Sequence, residues 1–229
     1  MRIAISMRVV QADGYEEPRD AISHDWIRKL TELDLTPVPV SNAIRDPGAY
    51  LDAMAVHGLL LTGGNDLAPE RSSSEEAEAA TDVASERDEA EFQMLRYAVA
   101  HRLPTLGCCR GMQVLNAFFG GRQSQRLEEA VHVGRGHPVE ICDVDMARCL
   151  GDRLEVNSYH RWGIHEEELS PRLRVFARVP GDGSVEGVYH PALPFLGIMW
   201  HPERPGAPNA ADEHLIQSLW KGPRGRSAR

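Results

Sequence analysis

The sequence predicts an α/β protein: a doubly wound, mostly parallel sheet with helices on both faces and a small antiparallel extension. Strand-like and helix-like segments alternate through the first half of the chain. The run 58–62 centres on three leucines without polar alternation, as in parallel strands that are covered on both faces. Later strand-like runs follow one another with tight Gly or Pro turns, which favours antiparallel pairing.

The first half of the chain contains the alternating elements. Strands are predicted from short apolar or alternating runs at 2–7, 36–40, 58–62 and 103–106. Helices are predicted from helical spacing of apolar residues at 18–33, 47–54, 86–101 and 112–119. The polar and acidic segment 65–85 predicts a surface loop, either a disordered insertion or a mobile lid.

The second half contains shorter elements. The runs 132–133 and 137–141 resemble strands at a sheet edge, and His132 and His137 are expected to be edge residues. Further strands are predicted at 173–179, 185–190 and 195–199, followed by a last helix at 209–220. No repeat or linker divides the chain, so residues 1–220 are predicted to form a single domain. Residues 221–229 are basic and rich in Gly, Ser and Pro, which predicts a disordered tail.

Composition limits the classes of function. A formal net charge of −9 over 229 residues argues against binding of nucleic acid through a basic surface. No apolar run approaches the length of a membrane span, and the first six residues form a short strand, unlike a secretory signal. We expect a cytoplasmic protein with neither a membrane nor a nucleic-acid partner.

The cysteines and histidines do not have the spacing of a metal site. The four cysteines, at 108, 109, 142 and 149, lack zinc-ribbon spacing, and no histidine pair completes a ligand set. We therefore expect no metal ion and no organic cofactor. A disulfide between the adjacent Cys108 and Cys109 would strain the chain, so free thiols in a reducing compartment are expected.

A nucleophile elbow is indicated by the run Gly107-Cys108-Cys109-Arg110-Gly111. It lies between a predicted strand and a predicted helix and has the thiol form of the pattern, Gly-x-Cys-x-Gly. Small residues must flank the nucleophile in so tight a turn. Cys109 would lie at the apex, where the helix N-terminus favours thiolate over thiol. Cys109 is thus the candidate nucleophile.

A base for this thiol is indicated by Trp200-His201-Pro202-Glu203, which follows a predicted strand. A cysteine nucleophile needs an imidazole to take its proton, and the imidazole needs a carboxylate to orient it. The predicted triad is Cys109, His201 and Glu203. The backbone N–H of Arg110, directly after the nucleophile, would stabilise an oxyanion, and the Gly63-Gly64 loop offers a second donor.

With these residues the chain resembles the class I glutamine amidotransferase-like superfamily, and within it the free-standing γ-glutamyl hydrolases of the peptidase C26 branch. The resemblance spans residues 3 to about 219 and implies a flavodoxin-like sheet of the class I glutamine amidotransferase type. The matching motifs are Gly107 to Gln113, Trp200 to Glu203, Thr62-Gly63-Gly64-Asn65-Asp66, Arg87-Asp88, and Asn157-Ser158-Tyr159-His160.

The resemblance also implies roles for particular residues. It favours Gly64 as the second oxyanion donor and Gln113 as a contact of the substrate side chain. The segment Ser158-Tyr159-His160 would hold the amino-acid end of a glutamyl group. A structural or rim position is the alternative for His160.

The activity implied is hydrolysis of a γ-glutamyl amide through a γ-glutamyl thioester on the cysteine, with release of glutamate from a small-molecule substrate. The front end, from Tyr15 to Trp26, resembles hydrolases that act on a γ-glutamyl nucleotide phosphoramidate such as γ-glutamyl-CDP-amidate. Arg8, Arg19 and Arg204 would then meet phosphates, and surface ion pairs explain them equally well. The alternatives are a glutaminase subunit that delivers ammonia to a separate synthase and a catalytically silent binding module. A homodimer is left open.

Overall fold

The computed structural model of the protein describes residues 1–72, 81–122, 127–204 and 210–221. Its strands are β1 (Arg2–Ser6), β2 (Arg8–Gln11), β3 (Pro18–Ala21), β4 (Thr36–Val40), β5 (Gly58–Leu61), β6 (Thr105–Cys108), β7 (Val133–Ile141), β8 (Arg153–Tyr159), β9 (Arg174–Arg178), β10 (Val185–Tyr189) and β11 (Phe195–Ile198). Its helices are α1 (His24–Glu32), α2 (Pro47–Ala53), α3 (Pro69–Ser72), α4 (Ser85–His101), α5 (Arg110–Phe118), α6 (Glu129–His132), α7 (Val144–Leu150) and α8 (Ala210–Lys221), with a 3₁₀ turn at Glu166–Glu168.

Nine strands form one sheet, in the order β4-β1-β5-β6-β11-β10-β9-β7-β8. The pairs from β4 to β11 are parallel, and those from β11 to β8 are antiparallel. β2 and β3 form a separate antiparallel pair. The predicted α/β fold class is confirmed, and the antiparallel part is four strands wide.

Helices cover both faces of the sheet, as predicted. One core cluster packs Trp26 and Leu30 of α1 and Ile216 of α8 against one face. The other packs Leu95 of α4 and Leu115 of α5 against the opposite face. The central strands β5 and β6 are buried along their whole length, which explains their unbroken apolar pattern.

The predicted helix 18–33 is wrong over its first residues. Residues 18–21 form β3, which pairs with β2 from Arg8 to Gln11. The helix begins only at His24, because the side chain of Ser23 accepts from the N–H of Asp25 and caps it. The carboxylate of Asp20 also anchors β3 by accepting from Ser41 and Asn42.

The expected sheet-edge strands also differ in position. Residues 137–141 lie in β7, one strand in from the edge, because β8 pairs along its outer side. His132 ends the short helix α6 and is fully buried. The pairing of the edge strand β8 along the outer side of β7 explains why His132 and His137 are not edge residues. The sequence pattern of β7 alone gives no sign that a further strand pairs with it.

The remaining predictions concern the acidic segment and the tail. Within 65–85, the described flanks are joined, since the carboxylate of Asp66 accepts from the N–H groups of Thr81 and Asp82. Residues 73–80, the middle of the predicted loop or lid, lie outside the described residues, as do 222–229 of the predicted tail. Lys221 belongs to α8, and its Nζ donates to the carbonyl of Leu33 at 2.6 Å. None of the described helices is long and apolar enough to span a bilayer.

Three neighbouring parallel strands, β5, β6 and β11, end at the same edge in the middle of the sheet. Gly63 follows β5, Cys109 follows β6 and His201 follows β11. Ligands of doubly wound sheets bind at such carboxyl ends. The order of strands therefore brings together three segments that lie far apart in the chain.

Candidate active site

Cys109 lies at a sharp corner between β6 and α5, with φ of 52° and ψ of −111°. A non-glycine residue rarely has a positive φ, so the surroundings must hold it there. Strand β11 contributes, because the N–H of Cys109 donates to the carbonyl of Ile198 at 2.7 Å. The flanking glycines leave the necessary space: a Cβ on Gly107 would lie 2.5 Å from the carbonyl oxygen of Gly111. The corner has the geometry of a nucleophile elbow.

The imidazole of His201 is buried and held from two sides. Its Nδ1 lies 2.7 Å from Oε1 of Glu203, and a carboxylate at that position directs the proton to Nδ1 and leaves Nε2 for a thiol. The backbone of His201 is fixed by Asn157, whose Nδ2 donates to the His201 carbonyl at 2.9 Å. The Oδ1 of the same side chain accepts from the His201 N–H at 2.8 Å.

Cys109 and His201 meet beside Gly63. A Cβ on Gly63 would lie 2.9 Å from Cε1 of His201 and 3.4 Å from Cβ of Cys109. Burial opposes ionisation of Cys109, but the positive charge of His201 outweighs it, so the pKa of the thiol is lowered. Burial also lowers the pKa of His201, but the negative charge of the neighbouring Cys109 thiolate acts in the opposite direction, and the pKa of the imidazole is raised above its ordinary value. The pair therefore favours thiolate and imidazolium.

The neighbouring thiol, Cys108, has a different environment. It is fully buried at the end of β6, and its Sγ donates to the carbonyl of Trp200 at 3.1 Å. Its Sγ lies 4.0 Å from Nδ1 of His201. Burial raises the pKa of this thiol to about 12, so Cys108 stays protonated at neutral pH.

The Gly63-Gly64 loop is held by the buried guanidinium of Arg87. Its NH1 donates to the carbonyls of Gly63 at 3.1 Å and Gly64 at 2.8 Å, and its NH2 donates to the carbonyl of Thr62 at 2.7 Å. Gly64 has a φ of 86°, which a side chain would disfavour. Holding these carbonyls fixes the peptide planes, and so the direction in which the loop N–H groups point.

The side chain of Arg110 joins a buried ion network. It pairs with Asp88 and with Glu91, and Oε1 of Glu91 also accepts from Nε of Arg87 at 3.0 Å. Burial lowers the pKa of Arg87 to about 10. The network ties the elbow helix to α4 and, through Arg87, to the Gly63-Gly64 loop. Glu91 is not among the predicted site residues, although its spacing of four residues from Arg87 on a helix was an available signal.

A pocket of about 610 Å³ opens at these strand ends, with Cys109 and His201 in its wall. Of the predicted substrate-binding residues, Gln113, Tyr159 and His160 line it. Ser158 has a fully buried side chain, and its Oγ donates to the carbonyl of His132 at 2.6 Å. The structure therefore brings Cys109, His201, Gly64 and three of the four predicted substrate contacts to one cavity, with Glu203 behind the His201 ring.

Comparison with known proteins assigns the family. The sequence model of the peptidase C26 family matches residues 3–203, which include the elbow, the glycine loop and the His201 segment. The chain belongs to the peptidase C26 family.

Relatives of this peptidase C26 protein carry different activities in their names. It is 30% identical over 208 residues to the γ-glutamyl-CDP-amidate hydrolase of Campylobacter jejuni, with 89% of this chain and 90% of that protein covered. It is 35% identical over 214 residues to a Mycobacterium tuberculosis protein named provisionally as a glutamine amidotransferase. That match covers 85% of this chain but 66% of the relative, so the chain spans about two thirds of its length.

A solved structure supports the fold alone. A Thermoplasma acidophilum protein, described provisionally as one of the subunits of GMP synthase, superposes with a TM-score of 0.67 at 21% identity. The superposition covers 96% of this chain and 92% of that one. This peptidase C26 protein is thus a glutamine-amidotransferase-like hydrolase by family, and it shares the fold of the Thermoplasma protein.

Four arginines line the pocket of this peptidase C26 protein, of which Arg110 is paired with Asp88 and Glu91; the other three are Arg8, Arg161 and Arg204. The guanidinium of Arg204 lies 3.8 Å from the ring centroid of Tyr159. Arg8 makes an exposed contact of 3.7 Å with Asp82, which is worth little in water. Arg19 instead pairs with Glu17 at 2.7 Å on the exposed front end. Of the three arginines expected at phosphates, two reach the pocket, and Arg161 joins them.

Proposed function

We propose that this protein is a cysteine hydrolase that cleaves a γ-glutamyl amide bond. The observation that carries the proposal is the pairing of Cys109 with His201: a strained strand-to-helix corner holds a thiol of lowered pKa beside an imidazole backed by Glu203. Such an arrangement is suited to acyl transfer. The pocket beside it is large enough for a small molecule.

The proposed reaction has two steps. The Cys109 thiolate attacks the γ-carbonyl carbon, and the N–H groups of Gly64 and Arg110 stabilise the resulting oxyanion. The C–N bond then breaks, His201 gives its proton to the leaving nitrogen, and a γ-glutamyl thioester remains. In the second step His201 takes a proton from water, the hydroxide attacks the thioester, and glutamate leaves with regeneration of the thiolate. Neither step needs an oxidant or a reductant.

The residues around the pocket suggest how the two ends of the substrate are bound. We assign the γ-glutamyl end to Gln113, His160 and the backbone of 158–160. The leaving group would meet Arg8, Arg161 and Arg204, whose charges favour an anion once it displaces the exposed contacts of Arg8 with Asp82 and of Arg161 with Glu129. A γ-glutamyl nucleotide phosphoramidate, such as γ-glutamyl-CDP-amidate, has that charge, and a relative is named for hydrolysing it.

A glutaminase subunit is the second candidate, favoured by the amidotransferase name of the Mycobacterium relative. In that case glutamine would be the substrate, and the ammonia released would pass to a separate synthase. Ammonia release from glutamine that appears only on addition of a partner protein would support this candidate over the hydrolase.

The test is a screen of γ-glutamyl compounds with the purified protein and with Cys109→Ala. Compounds with neutral amine, anionic phosphoramidate and ammonia leaving groups are compared by glutamate release. We expect the phosphoramidate class to be cleaved fastest, and a γ-glutamyl adduct on Cys109 to appear in mass spectra after rapid acid quenching. No glutamate release from any compound and no adduct would instead favour the silent binding module.

A further inference from the structure

Three histidines and a glutamate converge next to the pocket. His132 ends α6, His137 lies in β7, His160 follows β8 and Glu186 lies in β10. These four residues are 0%, 5%, 4% and 0% exposed. One nitrogen of each ring and a carboxylate oxygen all lie within 4.8 Å of one another. None of these four side chains is used by the hydrolytic mechanism except His160, which also lines the pocket.

In each imidazole, the outward nitrogen, which points away from the other members of the cluster, faces an oxygen. Nε2 of His132 lies 2.7 Å from Oδ2 of Asp182. Nδ1 of His160 lies 3.2 Å from the carbonyl of Trp162, and Nδ1 of His137 lies 3.4 Å from the carbonyl of its neighbour at position 138. Carbonyl and carboxylate oxygens accept hydrogen bonds, so these nitrogens carry the protons. The inward nitrogens of His132 and His137 therefore present lone pairs, and that of His160 does so unless the ring carries a second proton.

The inward atoms lack hydrogen-bond partners among the described residues. They are Nδ1 of His132, Nε2 of His137, Nε2 of His160 and both carboxylate oxygens of Glu186. Nε2 of His160 lies 3.3 Å from Oε1 of Glu186, where a lone pair and a carboxylate repel each other unless a positive charge lies between them. A buried carboxylate without a compensating charge is strongly destabilising. The cluster therefore requires either a second proton on His160 or a cation.

We propose that this cluster binds a divalent transition-metal ion of the zinc class. Three imidazole nitrogens and a carboxylate are ligands that Zn²⁺ and its first-row neighbours prefer. Histidines that bind metals usually donate their other N–H to a carboxylate or a carbonyl, which is the arrangement of all three rings here. The ion would join α6, β7, β8 and β10, and would fix the His160 ring in the pocket wall. No sequence spacing predicted this site, since its ligands come from four elements.

The test measures metal uptake and does not depend on turnover. The folded protein is stripped with a chelator, dialysed, and titrated with Zn²⁺ by calorimetry and with Co²⁺ by visible absorption. The background is Cys108→Ala with Cys109→Ala, because Cys108, His201 and Glu203 form a second cluster that could take an ion. We expect uptake of about one ion per chain in this background, with a rise in Tm on addition of zinc.

Variants of the cluster locate the ion. Glu186→Gln is expected to abolish uptake. Asp182→Asn, at a half-exposed residue outside the ligand set, is expected to weaken binding by about 10–100-fold without loss of the fold. His24→Ala, at an exposed histidine on α1, is the matched control and should bind as the background does.

Two results would overturn the proposal. One is a folded, stripped protein that takes up neither ion, which would mean that a second proton on His160 neutralises Glu186. The other is evidence that the ion lies elsewhere. Such evidence would be uptake that is lost in the double cysteine background, or uptake that neither Glu186→Gln nor Asp182→Asn changes. Should Glu186→Gln fail to fold, Asp182→Asn decides between these outcomes.

Discussion

The carboxamide of Asn157 binds both backbone polar groups of His201, with N···O distances of 2.9 and 2.8 Å. One side chain on β8 thereby sets the position of the imidazole that follows β11. This contact crosses from the antiparallel part of the sheet to its parallel part. The imidazole is thus oriented by Glu203 at its ring and by Asn157 at its backbone.

Replacing Asn157 is expected to impair the chemical step. Asn157→Ala leaves the N–H and carbonyl of His201 without these partners, so the ring loses its fixed position relative to Cys109. We expect kcat to fall by about 10–100-fold with a smaller change in KM, since misplacement by about 1 Å can cost that much. Steady-state kinetics on a γ-glutamyl amide measures both. Gln93→Ala, whose amide donates to Glu89 on α4 and which does not line the pocket, should leave kcat near the wild-type value.

The two adjacent thiols are expected to behave oppositely. Cys109→Ser should abolish turnover, because a hydroxyl is a far weaker nucleophile than the thiolate favoured there. Cys108→Ser should keep most activity, because Cys108 stays a neutral thiol and a serine hydroxyl can still donate to the Trp200 carbonyl. Glutamate release and the circular dichroism spectrum of each variant are the measurements. An active Cys109→Ser beside an inactive Cys108→Ser would show that Cys108 is the nucleophile.

The pH dependence should reflect the thiolate–imidazolium pair. The pKa of Cys109 is lowered from an ordinary value of 9.0, so kcat/KM should rise at a pH below 9.0 as the thiolate forms. The pKa of His201 is raised well above 6.5, so the falling limb should lie well above pH 6.5, where the imidazolium loses its proton. Because the two groups interact, the limbs report the pair and not either residue alone.

Alkylation kinetics test this pH dependence without turnover. The rate of Cys109 modification by iodoacetamide should follow the rising limb, because the thiolate is the reactive form. Glu203→Gln removes the carboxylate that stabilises the imidazolium, so in this variant the falling limb of the kcat/KM profile should move to lower pH. An alkylation rate that rises only near pH 9, as for an ordinary thiol, would contradict a lowered pKa of Cys109.

The buried network around Arg110 is expected to matter for stability. Glu91→Gln leaves the guanidinium groups of Arg87 and Arg110 buried; among the described residues Asp88 still pairs with Arg110, and Arg87 loses its ion pair. Breaking such a buried pair costs about 3–5 kcal/mol of unfolding free energy. Urea denaturation measures the loss. Glu89→Gln, on the same helix but exposed beside Arg71, is the control and should change stability by less than about 1 kcal/mol.

Asp212 is expected to destabilise the native state at neutral pH. Burial raises the pKa of its carboxyl from 3.8 to about 6, so the native state binds its proton more tightly than the unfolded state does. Stability therefore falls as pH rises from about 4 to about 6, and the deficit persists above that range. Asp212→Asn removes the charge and keeps an oxygen for Nε1 of Trp200, which lies 2.8 Å away.

This substitution should stabilise the protein at pH 7 by about 1–3 kcal/mol and have a smaller effect at pH 4. Chemical denaturation at the two pH values measures the difference. Glu213→Gln, at the exposed neighbour that contacts Lys29 at 3.4 Å, serves as the control and should show little change at either pH. An equal gain at pH 4 and pH 7 would rule out the charge of Asp212 as its cause.

From the sequence alone we predicted much of the parallel half of the fold and the three residues of the triad. Helical and strand periodicity are local patterns that extend over a few turns of a helix or a few residues of a strand. They therefore predict an element correctly where burial is uniform along its length, as in β5 and β6. It failed at residues 18–21, because pairing with β2 and capping by Ser23 are contacts that periodicity does not contain. The elbow was recognisable because its steric demand falls on adjacent residues.

The amino-acid sequence by itself determined which thiol stands at a strand-to-helix corner, which imidazole has a carboxylate two residues away, and which strands are covered on both faces. These properties depend on residues that are neighbours along the chain. Only the tertiary structure decided that Asn157 fixes His201, that Glu91 joins Arg87 to Arg110, and that three histidines meet Glu186 between four elements. Those contacts arise from the order of strands in the sheet, which brings together residues with no common local pattern.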